Sequence, residues 1–184
     1  MAEYYLISQL PSLDGISEST PVPITEDRFI ELCNRYLSVK SRERLKKLTL
    51  TPSKVLEASG SKLIDQWNEG ERDLRLALGK ARAEKMKKPF DIGNGILPVI
   101  CVKAANAVME INDPMEAEKL LNRFRLEMLE ALRPLDTFSE DYIFYYGIKL
   151  KLVLRIRQFD KVSGEKAYKN IYNSVLSGDR VEAT

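Results

Sequence analysis

The 184-residue sequence predicts an all-α protein, a compact bundle of six or seven helices. Apolar residues recur at a spacing of three and four through most of the chain, which is the pattern of helices that bury one face. Proline and glycine divide these segments, as expected for short connections. We therefore predict one helical domain over residues 1–184, with an N-terminal arm and loop at 1–24, a helical body at 25–176 and a tail at 177–184.

The N-terminal segment is the part whose structure the pattern leaves open. Glu3 to Leu10 is rich in Tyr, Leu and Ile and stops before a proline, so a short strand and an extended arm both remain compatible with it. The following residues, 11–25, are rich in Pro, Ser and Thr and predict a loop. Thr25 is predicted to cap the first long helix, because acidic residues follow it in the first turn.

Two further helices are predicted before residue 90. Residues 41–50 predict a short helix, whose basic residues Arg42 to Lys47 we interpret as a solvated helix end, with contact to phosphate or to anionic lipid as the alternative. Residues 53–87 predict a long helix. Whether Gly70 and Gly79 bend or break that helix stays open at this point.

The middle of the chain predicts two more helices. Residues 96–111 have the pattern of a buried helix, with Ile96, Ile100 and Val108 on its apolar face and Pro98 in its first turn, where a missing N–H is harmless. The sequence Asp113-Pro114-Met115-Glu116 is a strong start signal for the next helix, since Asp caps, Pro takes the first helical position and Glu reaches back.

The late helix is the element around which we expect the chain to be organised. Ser139 can cap it, and the residues from Tyr142 to Ile156 are apolar almost all round, which is typical of an interior helix. It is shorter than the ~20 apolar residues of a membrane span. After a linker at 159–163, an amphipathic final helix is predicted, whose apolar face holds Tyr168, Ile171, Tyr172, Val175 and Leu176.

Composition excludes several classes of function. The sequence has no histidine, so histidine-based catalytic pairs and histidine zinc sites are absent. Cys33 and Cys101 are each flanked by apolar residues and are predicted to be buried, reduced thiols, which fits a cytoplasmic setting. The net charge of only +2 gives no strong attraction to nucleic acid, and the N-terminus does not have the pattern of a signal peptide.

The candidate chemical motifs are weak. Gly79-Lys80 and Gly93-Asn94-Gly95 match neither glycine-rich phosphate-binding pattern, so we expect no nucleotide cofactor, and we expect no metal. An enzymatic interpretation would need acids and lysines that converge in a pocket, for instance Asp65, Glu71 and Lys103.

The C-terminal segment resembles the end of the C (or d) subunit of V-type and A-type rotary ATPases. The resemblance rests on Tyr145, Lys149, Ile156 and Arg157 in the late helix, and on Gly164 before the final helix. The sequence ERDLR at residues 71–75 is similar to a Glu-x-x-Leu-Arg element of that family. The opening, with Tyr4-Tyr5-Leu6-Ile7 and Leu10-Pro11-Ser12-Leu13, resembles a short bacterial family of uncharacterised proteins that are encoded with V-type ATPase subunits.

The resemblance implies a mechanical role rather than catalysis. It implies a non-catalytic adaptor that links the central stalk to the membrane rotor ring of a V-type ATPase, on the cytoplasmic face and attached to the membrane through protein contacts only. No nucleic acid is expected as a partner. The partner-binding candidates are Tyr145, Tyr146, Lys149, Arg155, Arg157 and Arg75. The alternative is a free-standing helical scaffold or regulatory binding module whose partner is unknown.

Overall fold

The computed structural model describes residues 2–15, 21–53, 55, 57–92, 95–158 and 161–177. Within these ranges the regular secondary structure consists of α-helices and no β-strand is found, so the predicted all-α class is confirmed. The eight helices are α1 (Ala2–Ser8), α2 (Glu26–Tyr36), α3 (Val39–Lys46), α4 (Lys62–Lys85), α5 (Val99–Glu110), α6 (Pro114–Ala131), α7 (Glu140–Gln158) and α8 (Lys161–Ser177). Gly93 and Asn94 of the glycine motif, and residues 178–184 of the predicted tail, lie outside the described residues.

Several helices begin where the sequence predicts, because a side-chain oxygen satisfies a free backbone N–H there. Thr25 Oγ1 accepts from the N–H of Arg28, and Asp113 Oδ1 accepts from the N–H of Met115. Ser139 Oγ accepts from the N–H of Tyr142 at the start of α7. These three starts depend on near neighbours in the sequence, and all three are confirmed.

α7 lies between two halves of the core. One side of it, with Ile143, Tyr146 and Leu150, packs in a cluster with residues of α1 and α2. The other side, with Phe144 and Ile148 among others, packs with residues of α4 and α6. A third cluster joins the second half of α4 to α5 and α6. Because both sides of α7 are covered, the near-continuous apolar run that the sequence shows is explained.

α7 carries positive charge within this apolar run. Two lysines, Lys149 and Lys151, interrupt its apolar run in the second half. In the described ranges, no helix is both long and apolar enough to cross a membrane.

The N-terminal segment is a helix, so both the strand and the extended arm are wrong. Leu6 is fully buried among residues of α2 and α7, while Tyr5 is exposed. Ser8 Oγ and Gln9 Nε2 both donate to the carbonyl oxygen of Tyr5, at 3.0 and 3.1 Å, and so satisfy a carbonyl at the end of the helix. A helix of seven residues is marginal alone, so its packing decides its structure.

α4 is continuous through both of its glycines. A Cβ at Gly70 would lie 2.6 Å from Met128 Sδ, and one at Gly79 would lie 2.7 Å from Phe90 Cζ. The missing side chains therefore let neighbouring groups approach α4, which offsets a loss in helix propensity of about 1 kcal/mol per glycine. The helix begins at Lys62, later than predicted, because Ser61 caps it by accepting from the N–H of Ile64.

α5 buries only part of its predicted apolar face. Ile96, which precedes the helix, is 97% exposed and Ile100 is 65% exposed, whereas Cys101, Ala105 and Val108 are buried against α4 and α6. The facing residues of α4 include two alanines, so small side chains on both helices allow close packing. The periodicity identified a helix correctly, but the larger isoleucines were assigned to the wrong side.

Both cysteines are free and buried, as predicted. Burial raises the pKa of the Cys33 thiol to about 12 and also raises the pKa of Cys101. A thiol needs its deprotonated form to act as a nucleophile. These two residues are therefore part of the packing.

Candidate functional site

Three of the predicted partner-binding residues lie inside the protein. Tyr145, Tyr146 and Lys149 of α7 are at most 8% exposed. The Nζ of Lys149 lies 2.6 Å from an oxygen of Glu130 at the end of α6, and it also donates to Asp14 in the loop after α1. The structure brings these residues together, but it places them where they fasten parts of this chain to each other.

The tyrosine hydroxyls complete this cluster. Tyr145 donates to the same Glu130 oxygen at 2.6 Å, and Lys149 Nζ lies 3.3 Å from the Tyr145 hydroxyl. Tyr146 donates to the carbonyl oxygen of Pro11 at 2.8 Å. The loop after α1 is thus tied to α7 by one ion pair and one neutral hydrogen bond.

The protonation states in this cluster do not suit acid–base catalysis near neutral pH. Burial, helped by the hydrogen bond to Glu130, raises the pKa of Tyr145 to about 12. Burial opposes the charge on Lys149, but its hydrogen bonds to Asp14 and Glu130 outweigh that effect and raise its pKa. A general base works best with a pKa near the ambient pH, so the charged lysine and the neutral tyrosine act as structural groups.

The remaining predicted residues are arginines of α4 and α7. Arg75 Nε donates to Glu71 at 3.1 Å, and its Nη2 donates to the carbonyl oxygen of Leu50 at 2.9 Å. Arg155 Nη2 donates to Glu118 of α6 at 2.7 Å. Arg157 lies in the last turn of α7 and is partly exposed. Contact between any of the six predicted residues and a partner stays a prediction.

Glu71 of α4 is the centre of an ion-pair network that joins α4 to α6. Its carboxylate is fully buried and accepts from two nitrogens of Arg125 on α6, at 3.0 and 3.1 Å. Such a bidentate pair is a strong and directional hydrogen bond. Arg125 also donates towards Asn122 and Glu118, at 3.3 and 3.5 Å. Glu71 is therefore a structural anchor for α4 and α6.

The acids and the lysine named for an enzymatic interpretation have separate surroundings. Glu71 is paired with arginines inside the protein, and Asp65 accepts from the backbone N–H of Ser59 at 2.8 Å. Lys103 is exposed on α5. Within the described residues, no group of three or more acids and cysteines is placed to hold a metal ion.

The exposed face of α8 is the surface that the six predicted residues missed. Tyr168, Ile171 and Tyr172 are 68%, 59% and 53% exposed. Their spacing puts them on one side of the helix, and the two tyrosine rings are stacked with centroids 6.1 Å apart. Among the side chains that the structure describes, none of α8 belongs to the three core clusters. Val175 and Leu176, predicted for the same face, lie outside the described side chains.

The sequence contained a signal for this surface. The three-four spacing of Tyr168, Ile171 and Tyr172 predicts an apolar helix face, and such a face is usually buried in the chain's own core. Periodicity does not tell whether the covering surface belongs to the same chain or to another one. The burial of each residue supplies that information, and here it shows an uncovered face.

Comparison with known proteins gives one match. Residues 90–179 match the model of a family described as a protein of unknown function, DUF2764. This segment includes all of α5, α6, α7 and α8. No curated protein and no solved structure matches the chain.

These comparisons overturn the resemblance to rotary ATPase subunits. The matching family model is one of unknown function, and no C-subunit family of V-type or A-type ATPases and no named relative was found. The resemblance stated above, including that to the bacterial family encoded with ATPase subunits, is therefore wrong. The residues behind it have another explanation, because Tyr145, Lys149 and the ERDLR element at 71–75 all take part in ion pairs or hydrogen bonds within the chain.

Proposed function

We propose that this chain is a non-catalytic protein-binding module whose partner covers the apolar face of α8. The observation that carries the proposal is the exposure of Tyr168, Ile171 and Tyr172, each more than half exposed on one side of a helix. Neighbouring exposed apolar groups of this kind mark interaction sites in soluble domains more often than single exposed residues do. Tyrosine is also among the residues that interfaces favour, because its ring is apolar and its hydroxyl tolerates water.

The partner chemistry follows from the shape of this face. An amphipathic helix binds best in an apolar groove or against another helix, and residues at i, i+3 and i+4 serve as its anchors. Tyr168, Ile171 and Tyr172 have this spacing. The proposed partner is therefore a helical protein surface with an apolar groove.

The named partners to test are the rotor ring and the central stalk of a V-type ATPase. In that version of the proposal, the chain is an adaptor between the two, attached to the cytoplasmic face of the membrane through protein contacts. With the family resemblance gone, this version has the same support as any other helical partner, namely the uncovered face of α8. The free-standing regulatory or scaffold module is the other version.

A comparative pull-down tests the proposal. The tagged chain, the variant Ile171→Asp and the control Asn170→Asp are each recovered from gently solubilised native membranes and from the remaining lysate. Asn170 is exposed on α8 and lies about 100° from Ile171 around the helix, away from the apolar face. We expect the wild type and the control to recover the same protein in stoichiometric amounts, and Ile171→Asp to lose it.

The identity of the recovered proteins distinguishes the ATPase adaptor from the free-standing module. Rotor-ring and stalk subunits among the lost proteins would support the ATPase adaptor, and a different helical protein would support the free-standing module. A coupled ATPase that is intact without this chain would remove the adaptor version only. If Ile171→Asp recovered the same proteins as the wild type, α8 would not be the binding surface and the proposal would fail.

A further inference from the structure

A groove with a volume of about 230 Å³ lies between α2, α3 and α7. Most of its lining is apolar, and the apolar residues are Phe29, Ile30, Leu45, Leu48 and Leu150. Phe29, Leu48 and Leu150 are buried, whereas Ile30 is 39% exposed at the mouth. The groove is therefore an apolar crevice that opens to solvent on one side.

The rim of this groove carries more positive than negative charge. Arg42, Lys46 and Lys151 line it, together with the single acid Glu26. Lys151 Nζ lies 2.8 Å from Glu26 Oε1, so these two charges compensate each other. No ion pair is found for Arg42 or Lys46 within the described part of the chain. Since the two residues are four apart on α3, their positive charges lie on the same face.

Arg42 also has an unsatisfied donor. Its Nε has no hydrogen-bond partner but is shielded from solvent, so a ligand in the groove would meet the terminal nitrogens of the guanidinium group. The guanidinium group is planar and can hold a carboxylate through two parallel hydrogen bonds.

We propose that this groove binds a small carboxylate with a short apolar tail. The tail lies among Phe29, Leu45 and Leu150, and the carboxylate lies at the rim against Arg42 and Lys46. The positive charges of Arg42 and Lys46, which have no ion pair among the described residues, favour an anionic head group. The apolar lining favours a ligand whose remaining part is apolar. This inference concerns a surface other than the α8 face and does not depend on the proposed function.

The volume indicates a small molecule rather than a helical partner. The groove, at about 230 Å³, is smaller than the roughly 300–1,000 Å³ of pockets that hold drug-sized ligands, which suits a small molecule with a short tail. A docked helix would need a groove long enough for anchors on successive turns, and this crevice is too small for that.

Titration with octanoate tests the proposal by calorimetry and by NMR shift mapping. Octanol has the same tail without the charge, and acetate has the same head without the tail. We expect octanoate to bind saturably, one molecule per chain, and both other probes to bind at least about tenfold more weakly. The shifted resonances should be those of Ile30, Leu45 and Leu150.

Two matched variants test whether Arg42 binds the carboxylate group of octanoate. Arg42→Gln removes the guanidinium and breaks no hydrogen bond described in the fold, so the variant is expected to stay folded. It should weaken octanoate binding by about tenfold or more, the loss typical of one charge-assisted hydrogen bond. Lys40→Gln removes an exposed positive charge of α3 that does not line the groove, and it should bind octanoate as the wild type does.

The proposal is overturned by any of three results. These are octanoate binding that does not saturate on the wild-type protein, octanol binding as tight as octanoate binding, and an Arg42→Gln variant that keeps the wild-type affinity. The circular dichroism spectrum and the melting temperature of each variant show that any loss of binding is not a loss of fold.

Discussion

Lys149 joins three parts of the chain through one ammonium group. It contacts Asp14 in the loop after α1, Glu130 near the end of α6 and the hydroxyl of Tyr145 one turn earlier on α7. The lysine side chain is 10% exposed, whereas the side chains of Asp14 and Glu130 are 58% and 41% exposed. Water can therefore hydrate the acids if the lysine is removed, so the cost of its removal is moderate.

We predict that Lys149→Met lowers the free energy of unfolding at neutral pH by about 1–2 kcal/mol. Methionine keeps much of the side-chain volume, so the loss reports the hydrogen bonds to charged groups. The control is Lys151→Met, because the ion pair of Lys151 with Glu26 is more exposed and should contribute less than about 1 kcal/mol. Urea denaturation of the three proteins measures both effects.

The difference in unfolding free energy between the wild type and Lys149→Met should also depend on pH. The hydrogen bond from Lys149 lowers the pKa of Asp14 below 3.8, and the hydrogen bonds from Lys149 and Tyr145 outweigh burial and lower the pKa of Glu130 below 4.5. Carboxyl groups with a lowered folded-state pKa stabilise the fold above their unfolded-state pKa and lose that effect as the pH falls through the folded-state value. The gap between the wild type and Lys149→Met should thus shrink below about pH 4.5. A gap that stayed constant down to about pH 2 would contradict this account.

Among the helices, the Glu71–Arg125 pair is the main polar link between α4 and α6. Both side chains are at most 7% exposed, and Arg75 adds a third charged group to the same carboxylate. A buried ion pair is not by itself evidence of added stability, because its desolvation is costly. Removal of one partner is a different matter, since it leaves the other charge buried and unpaired.

We predict that Glu71→Gln destabilises the protein by about 3–5 kcal/mol, because the buried Arg125 then keeps only Glu118, 3.5 Å away, as a counter-charge. The matched control is Glu116→Gln on α6, whose ion pair with Lys119 is about half exposed and should contribute less than about 1 kcal/mol. Denaturant midpoints of the two variants test this. Equal, small shifts would mean that the buried pair does not hold the two helices together.

The elements that the sequence predicted well are those fixed by local signals. The caps at Thr25, Asp113 and Ser139 act on backbone groups two or three residues away, so a single sequence contains the whole interaction. The buried face of α5 was only partly predicted, because it depends on the alanines of α4, which periodicity within α5 does not reveal. α1 was missed for the same reason, since its structure depends on where Leu6 packs.

The candidate sites were harder to predict than the elements. Lys149 and Asp14 are 135 positions apart, and Glu71 and Arg125 are 54 apart, so no spacing rule joins them. Tyr145 and Lys149 were predicted to bind a partner because of the resemblance to the rotary ATPase subunits, and in the fold both are hydrogen-bonded within the chain. The apolar face of α8 was visible as a pattern, but its exposure depends on the whole fold.

In the whole molecule, α7 and α8 differ in how far the chain's own helices cover them. α7 is covered on both sides by the chain's own helices, and its Tyr145, Tyr146 and Lys149 are hydrogen-bonded within the chain. α8 exposes two tyrosines and an isoleucine on one side. A helix with an apolar face gains most of its stability from packing that face, so a partner that covers α8 would also stabilise it.

The most direct measurement is site-specific photo-crosslinking in native cells, with a photoreactive amino acid placed at position 171 or at position 170 of α8. We predict that position 171 gives a crosslink to one protein and that position 170, on the neighbouring polar side, gives little of that product. If both positions crosslinked equally, or neither did while the protein was folded and expressed, the apolar face of α8 would not be covered by a partner and the central claim would be contradicted.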